Sequence, residues 1–93
     1  MSDSGERKDA PGLEFPLEFP IKAMGLAADS FQSTVVDVIS AHIDPVDLLD
    51  ITSRPSSAGK YVSITVLIMA RSREQLDAIY DALTAHPDVL MRL

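Results

Sequence analysis

The segment that most constrains the fold is the run Tyr61–Met69, in which two kinds of side chain alternate. One side of the run is entirely β-branched: Val62, Ile64, Val66 and Ile68. The other side is half polar: Tyr61, Ser63, Thr65, Leu67 and Met69. Successive side chains of a strand point to opposite faces of a sheet, and β-branched residues favour strands. The run therefore predicts a sheet that is packed on one face and open on the other.

Two further segments have the apolar period of amphipathic helices. The first is predicted to begin at Asp29, which has capping-box spacing to Gln32, and to end near Ile43. Its apolar stripe is Phe31, Val35, Val38, Ile39 and His42. The second begins at Ser72, with Gln75 at the same spacing, and ends near His86. Its stripe is Leu76, Ile79, Tyr80 and Leu83. Each helix is expected to lay its stripe on the sheet.

Three weaker strands complete the order of elements, at Phe19–Met24, Leu48–Arg54 and Val89–Leu93. The order β-α-β-β-α-β predicts an α+β, ferredoxin-like two-layer sandwich with a four-stranded antiparallel sheet and two helices on one face. Right-handed crossovers place the first and third strands at the centre. Pro20 cannot donate to a ladder, so the first strand is expected to start at Ile21 or to carry a bulge. Residues 13–93 form the predicted domain, and residues 1–12 a disordered N-terminal tail.

Charge and cysteine content exclude several classes of protein. Fourteen acidic residues against eight basic ones give a net charge of −6, the opposite of a nucleic-acid-binding surface. The chain has no cysteine, so disulfides and thiolate chemistry are excluded. No apolar run is long enough for a signal peptide or a membrane span, and we expect a cytoplasmic protein with no membrane partner.

Short motifs resemble a known family. They are Leu13-Glu14-Phe15-Pro16, then Phe19 with Lys22-Ala23-Met24-Gly25, and Arg54-Pro55-Ser56-Ser57 followed by Gly59, Tyr61 and Ser63. Together they resemble the YbeD-like family of small bacterial proteins of unknown function. The resemblance implies a ferredoxin-like fold similar to ACT-type amino-acid-sensing regulatory domains, in a cytosolic protein without an established activity.

Two segments are candidate ligand sites. The loop containing Arg54, Ser56, Ser57, Gly59 and Lys60 can cradle an anion, or it is a hairpin connector whose proline and glycine set the turn.

The junction before the first helix, with Gly25, Asp29 and Ser30, offers backbone amides at a positive helix end. ACT-type domains are similar in using this junction for ligands. The alternative is a helix start already satisfied by Asp29 as its cap.

The remaining polar residues do not form a catalytic or metal motif. His42 and His86 are expected to bond carbonyls at helix ends, and Asp44, Asp47 and Asp50 to form a solvated acidic loop. Ser57, His42 and Asp37 lack a nucleophile elbow, so no catalytic triad is expected. No cofactor and no metal are expected.

The half-polar sheet face is a candidate interaction surface, formed by Met24, Tyr61, Leu67 and Met69, with Leu90 or Arg92 beside them. An exposed apolar patch usually binds a partner, another copy or a ligand. The alternative is that Leu13–Pro20 folds over it. The first functional hypothesis is a non-enzymatic, ACT-like ligand-sensing module that forms a homodimer through the sheet and binds a small metabolite. The alternative is an adaptor that binds another protein, and an enzyme ranks last.

Overall fold

The computed structural model describes residues 13–92, in the predicted order of elements. These elements are β1 (Leu17–Leu26), α1 (Phe31–Ser40), a 3₁₀ turn (Pro45–Asp47), β2 (Leu48–Pro55), β3 (Tyr61–Ala70), α2 (Arg73–Ala85) and β4 (Met91–Arg92). The predicted tail of residues 1–12 lies outside the described residues. The α+β, ferredoxin-like prediction is confirmed.

The sheet has the strand order β2-β3-β1-β4 and is antiparallel throughout. The two central strands, β1 and β3, pair over their whole length, from Leu17 opposite Ala70 to Leu26 opposite Tyr61. The edge strand β2 pairs with β3 and shifts register between Leu48 and Asp50. The prediction that the first and third strands are central is therefore confirmed.

The core lies between the helices and one face of the sheet. Ile64, Val66 and Ile68 of β3 are almost completely buried, while the residues between them in sequence are half-buried. The full set of buried apolar residues is Ile21, Ala23, Phe31, Val35, Ile39, Ile64, Val66, Ile68, Ala70, Leu76, Ile79 and Leu83. Both predicted helical stripes contribute to this set, which explains why α1 and α2 cover the same face.

Both expectations for Pro20 are wrong, because β1 runs through it in unbroken register with β3. Alternate residues of an antiparallel strand direct their backbone groups to opposite neighbours. The carbonyl of Met24 accepts from Leu90 N at 2.8 Å, on the β4 side, so Pro20 faces that side too. Since β4 pairs only with Ala23 and Met24, the missing N–H of Pro20 costs no ladder bond.

The two predicted helix starts have different outcomes. Ser72 caps α2 as expected, with its hydroxyl accepting from Gln75 N at 3.0 Å. Asp29 is not the cap of α1: the N-cap is Ser30, and its side chain makes no cap hydrogen bond. A turn in which Phe31 N donates to Ala28 O moves the helix start past Asp29. The Asp29 prediction was therefore wrong by one residue.

Two elements are also shorter than predicted. Helix α1 ends at Ser40 rather than near Ile43, with His42 N and Ile43 N closing shorter turns onto Ile39 O and Ser40 O. The β4 ladder holds only Met91 and Arg92, because Val89 N turns back to His86 O. Leu93 lies outside the described residues.

Candidate functional site

The junction between β1 and α1 is built on the close approach of three residues. Gly25 is buried, and the ring of Phe31 lies directly against it. A Cβ added to Gly25 would collide with that ring and would lie 2.6 Å from the carbonyl oxygen of Asp88. Glycine at this position therefore lets the start of α1 and the α2–β4 connection approach the same point of β1.

A cavity of about 210 Å³ opens beside this contact, between the β1–α1 loop and the α2–β4 connection. Its walls are mainly apolar, with Phe31 at the base and the exposed side chains of Leu26 and Leu90 at the rim. The complete lining is Leu26, Ala28, Ser30, Phe31, Pro87, Asp88 and Leu90. The volume is below the roughly 300–1,000 Å³ of sites for drug-sized molecules, so the cavity suits a small metabolite.

Polar residues also belong to the cavity lining. The N-terminus of α1 has no side-chain cap and no acidic residue in its first turn. Within residues 13–92, the backbone N–H groups of Gln32 and Ser33 have no hydrogen-bond partner, so they are available to an acceptor. Asp88, which belongs to the cavity lining, is exposed, and its backbone N–H donates to Nδ1 of His86 at 3.1 Å. The lining thus includes the N-cap residue of an uncapped helix, Ser30, and one acidic residue, Asp88.

The three predicted junction residues differ in their relation to the cavity. Ser30 lines the cavity, whereas Gly25 is outside the lining and lies against Phe31, which belongs to it. Asp29 is exposed, outside the cavity lining. The prediction of a ligand site here stays a prediction, now with a defined cavity.

The β2–β3 loop is a closed hairpin turn. Ser56 N donates to Tyr61 O and Gly59 N to Ser56 O, both at 2.9 Å, while Tyr61 N donates to the Ser56 hydroxyl at 3.1 Å. Gly59 has a φ of 75°, a conformation that favours glycine. Ser57 is exposed, and the Lys60 ammonium lies 5.6 Å from the centre of the Tyr61 ring. Two of the groups expected to hold an anion are therefore occupied by the turn itself, and the anion site stays a prediction.

The predicted interaction surface forms part of the sheet face that α1 and α2 leave open. Met24, Tyr61, Leu67 and Met69 are all half-buried there. Met91, opposite Met24, extends this face. Arg92 was expected beside them but points to the helix side, where it donates to the Thr84 hydroxyl at 2.7 Å and stacks on Tyr80.

The expectation that Leu13–Pro20 covers this face is wrong. Leu17 and Phe19 belong to β1, and with Phe15 they pack against the core. The open face therefore has no cover from that segment. The homodimer expected through this face stays a prediction.

An ion pair that the sequence reading missed connects the 3₁₀ turn to the entry of α2. Asp47 is only 4% exposed and accepts two hydrogen bonds from Arg71, at 2.8 and 3.1 Å. These bonds, helped by the charge of Arg71 and opposed by burial, hold the pKa of Asp47 below its usual range. Asp47 is thus not a solvated acid, and the expectation for it was wrong. Its partner is 24 positions away in sequence, so no local pattern pointed to the pair.

Neither histidine imidazole bonds a helix-end carbonyl in the described part of the chain. His86 accepts from Asp88 N instead, and His42 is exposed while its backbone oxygen accepts from Gln75 Nε2 at 2.9 Å. Ser57, His42 and Asp37 lie on different segments, and the described residues show no hydrogen bond joining them. Across residues 13–92, no three His, Cys, Asp or Glu side chains cluster as a metal site would require. None of the helices described is long and apolar enough to cross a membrane.

Together the element order and the sheet topology define a ferredoxin-like α+β domain. The chain belongs to the family described as "Protein of unknown function (DUF493)", which it matches over residues 10–93. A UPF0250 protein of Janthinobacterium sp. (strain Marseille) is 52% identical over 83% of this chain and 85% of the relative. A UPF0250 protein of Ralstonia nicotianae is 42% identical over 96% of both chains. The predicted YbeD-like resemblance is confirmed.

Two solved structures share the fold at low sequence identity. The ACT domain from GTP pyrophosphokinase of Chlorobium tepidum aligns with a TM-score of 0.63 and 17% identity, covering 82% of this chain and 84% of that domain. Protein HP0495 from H. pylori aligns with a TM-score of 0.69 and 12% identity, covering 100% and 98%. These likenesses establish the architecture.

Proposed function

We propose that this protein is a non-enzymatic regulatory domain that binds a small amino acid in the cavity between the β1–α1 loop and the α2–β4 connection. The observation that carries the proposal is the coincidence of that cavity with an uncapped helix N-terminus. The ACT-like architecture supports it, since the structural neighbour of known context is an ACT domain of a larger enzyme.

The distribution of charge around the cavity suits a zwitterion. The free N–H groups of Gln32 and Ser33, at the positive end of α1, can donate to a carboxylate. The carboxylate of Asp88, a lining residue, can pair with an ammonium group. Phe31, Leu26 and Leu90 supply an apolar surface for a short aliphatic side chain. An α-amino acid carries all three kinds of group in one small molecule.

The test is a titration of ¹⁵N-labelled protein with L-amino acids, added one at a time, with amide shifts as the readout. We expect saturable shifts at residues 26–33 and 88–90 for at least one aliphatic amino acid. Ala28→Leu fills the cavity from an exposed position and should abolish those shifts without unfolding the protein. Ala58→Leu, in the exposed hairpin turn, is the matched control and should leave them unchanged.

The experiment also separates this proposal from the adaptor function. If none of the amino acids shifts the junction amides, the proposal is overturned and binding of another protein is favoured instead. Equal loss of binding in Ala28→Leu and Ala58→Leu would also count against the cavity. The Gly25 position is unsuitable for this test, because any side chain there disturbs the packing of Phe31 whether or not a ligand binds.

A further inference from the structure

The open face of the sheet carries a row of hydroxyl groups between two cations. In the register of the sheet Thr52 of β2 lies opposite Thr65 of β3, and Thr65 lies opposite Lys22 of β1. One step along the strands, Arg54 lies opposite Ser63. These side chains share one face, because they occupy alternate positions of paired strands. They line a depression of about 450 Å³ with Ser53 at its edge.

The two cations are free in the part of the chain that the structure describes. Arg71 is paired with Asp47, and Arg92 is held by Thr84 and Tyr80. Lys22 and Arg54, by contrast, make no hydrogen bond or ion pair with residues 13–92. The nearest acid along β2, Asp50, turns one carboxylate oxygen to the backbone N–H of Ile51 at 2.9 Å. Two unpaired cations on one face of a chain with a net charge of −6 form a local positive site.

We infer that this depression binds a phosphomonoester, with the phosphate above Ser63 and Thr65 of the central strand. Lys22 and Arg54 lie on the two strands that flank β3, and their rows are offset by two residues along the strands. Their Cα atoms are therefore roughly 12 Å apart, and both long side chains can reach one anion over β3. A phosphomonoester carries a charge of about −1.5 to −2 and three acceptor oxygens. An arginine fork binds it in bidentate fashion, lysine adds a point charge, and the hydroxyls donate. A single carboxylate has fewer acceptor oxygens than a phosphomonoester for the hydrogen-bond donors of this depression.

This site is separate from the amino-acid cavity in its residues. It shares only Arg54 with the anion site expected in the β2–β3 loop, whose amides are partly occupied. The phosphomonoester inference can therefore succeed or fail independently of the proposed function.

The test is a titration of ¹⁵N-labelled protein with inorganic phosphate at constant ionic strength and mildly alkaline pH, where phosphate is a dianion. We expect saturable shifts at Lys22, Thr52, Ser63 and Thr65. Lys22→Gln and Arg54→Gln should each raise the Kd about two- to fivefold, the effect of one exposed charge pair. Both residues are exposed, so the variants should keep the melting temperature of the parent.

Lys60→Gln is the matched control, because it changes the net charge equally but lies outside the depression. It should leave the Kd unchanged. Glycerol 3-phosphate should bind at least as tightly as phosphate, and succinate more weakly. Four outcomes overturn the inference: no saturable shift at tens of millimolar phosphate, equal effects of all three glutamine variants, shifts at Ser57 to Lys60 that Lys60→Gln removes, or succinate binding as tightly as phosphate.

Discussion

At the scale of single residues, Gly25 leaves less space for a side chain than Gly59, the other glycine that the structure describes. Its φ is not positive, so the constraint is space rather than backbone conformation. A methyl group there meets both a ring and a backbone carbonyl oxygen, and the oxygen cannot move without displacing the α2–β4 connection. Gly59 is the opposite case: its φ is 75°, with open space around it. The two glycines are needed for different physical reasons.

Gly25→Ala should destabilise the fold by about 1–3 kcal/mol through overpacking. Urea unfolding measures this free energy. Combining it with Phe31→Leu should be non-additive, because the smaller side chain relieves part of the collision. Strict additivity of the two changes would show that Gly25 and Phe31 do not meet in solution.

At the scale of elements, the two helices begin by different means. Helix α2 has a side-chain cap, and the Gln75 side chain adds two further bonds. Its Oε1 accepts from Arg71 N at 2.7 Å, and its Nε2 donates to the carbonyl oxygen of His42, just beyond the end of α1. Helix α1 has neither a side-chain cap nor an acid in its first turn. Its start is held by the packing of Phe31 and by the bond from Phe31 N to Ala28 O, while the N–H groups of Gln32 and Ser33 have no partner within residues 13–92.

Replacing the two N-cap serines should therefore have unequal effects. Ser72→Ala should cost about 1 kcal/mol, since it removes the acceptor for Gln75 N. Ser30→Ala should change stability by less than about 0.5 kcal/mol, because its side chain makes no cap bond. The urea midpoints of the two variants give the comparison. Equal losses would mean that Ser30 also caps its helix in solution.

Local sequence patterns predicted which helices and strands form, but they predicted less accurately where these elements begin and end. The alternation in Tyr61–Met69 and the stripes of both helices depend only on near neighbours, and the structure packs them on the core except for His42, which is exposed beyond the end of α1. The start of α1 depends on the turn at Ala28, and the place of Pro20 depends on how far β4 extends. The cavity joins Leu26–Phe31 to Pro87–Leu90, segments far apart in sequence. Its existence follows from tertiary packing, which no local pattern contains.

At the scale of the whole molecule, the Asp47–Arg71 pair ties the entry of the β2–β3 hairpin to its exit. The 3₁₀ turn leads into β2, and Arg71 follows the last residue of β3. The pair therefore closes the long hairpin at the end opposite its turn. A low pKa for Asp47 in the folded state makes this closure depend on pH.

The stability gained from Asp47 should be complete at neutral pH and lost on acidification. Its pKa is lowered from the usual 3.8, so the folded state resists protonation more than the unfolded state does. The contribution is therefore present above pH 3.8 and disappears as the pH falls through the lower folded value. Asp47→Asn should lower the urea midpoint at neutral pH, and its curve should approach that of the parent in acid. Asp81→Asn, at an exposed position of α2, is the control and should follow the parent throughout. A constant gap between Asp47→Asn and the parent at every pH would contradict the pair.

The position of Pro20 has a consequence for association between sheets. Because β4 covers only Ala23 and Met24, no strand within residues 13–92 pairs with this side of the first half of β1, although β1 is a central strand over its second half. The backbone groups that face this edge belong to Glu18, Pro20 and Lys22. Pro20 has no backbone N–H to donate and lies between the opposite charges of Glu18 and Lys22. Natural sheets use prolines and charged residues at their edges to block the addition of a foreign strand. The residue that looked out of place in a central strand therefore removes a backbone donor from the edge at which a foreign strand would have to pair.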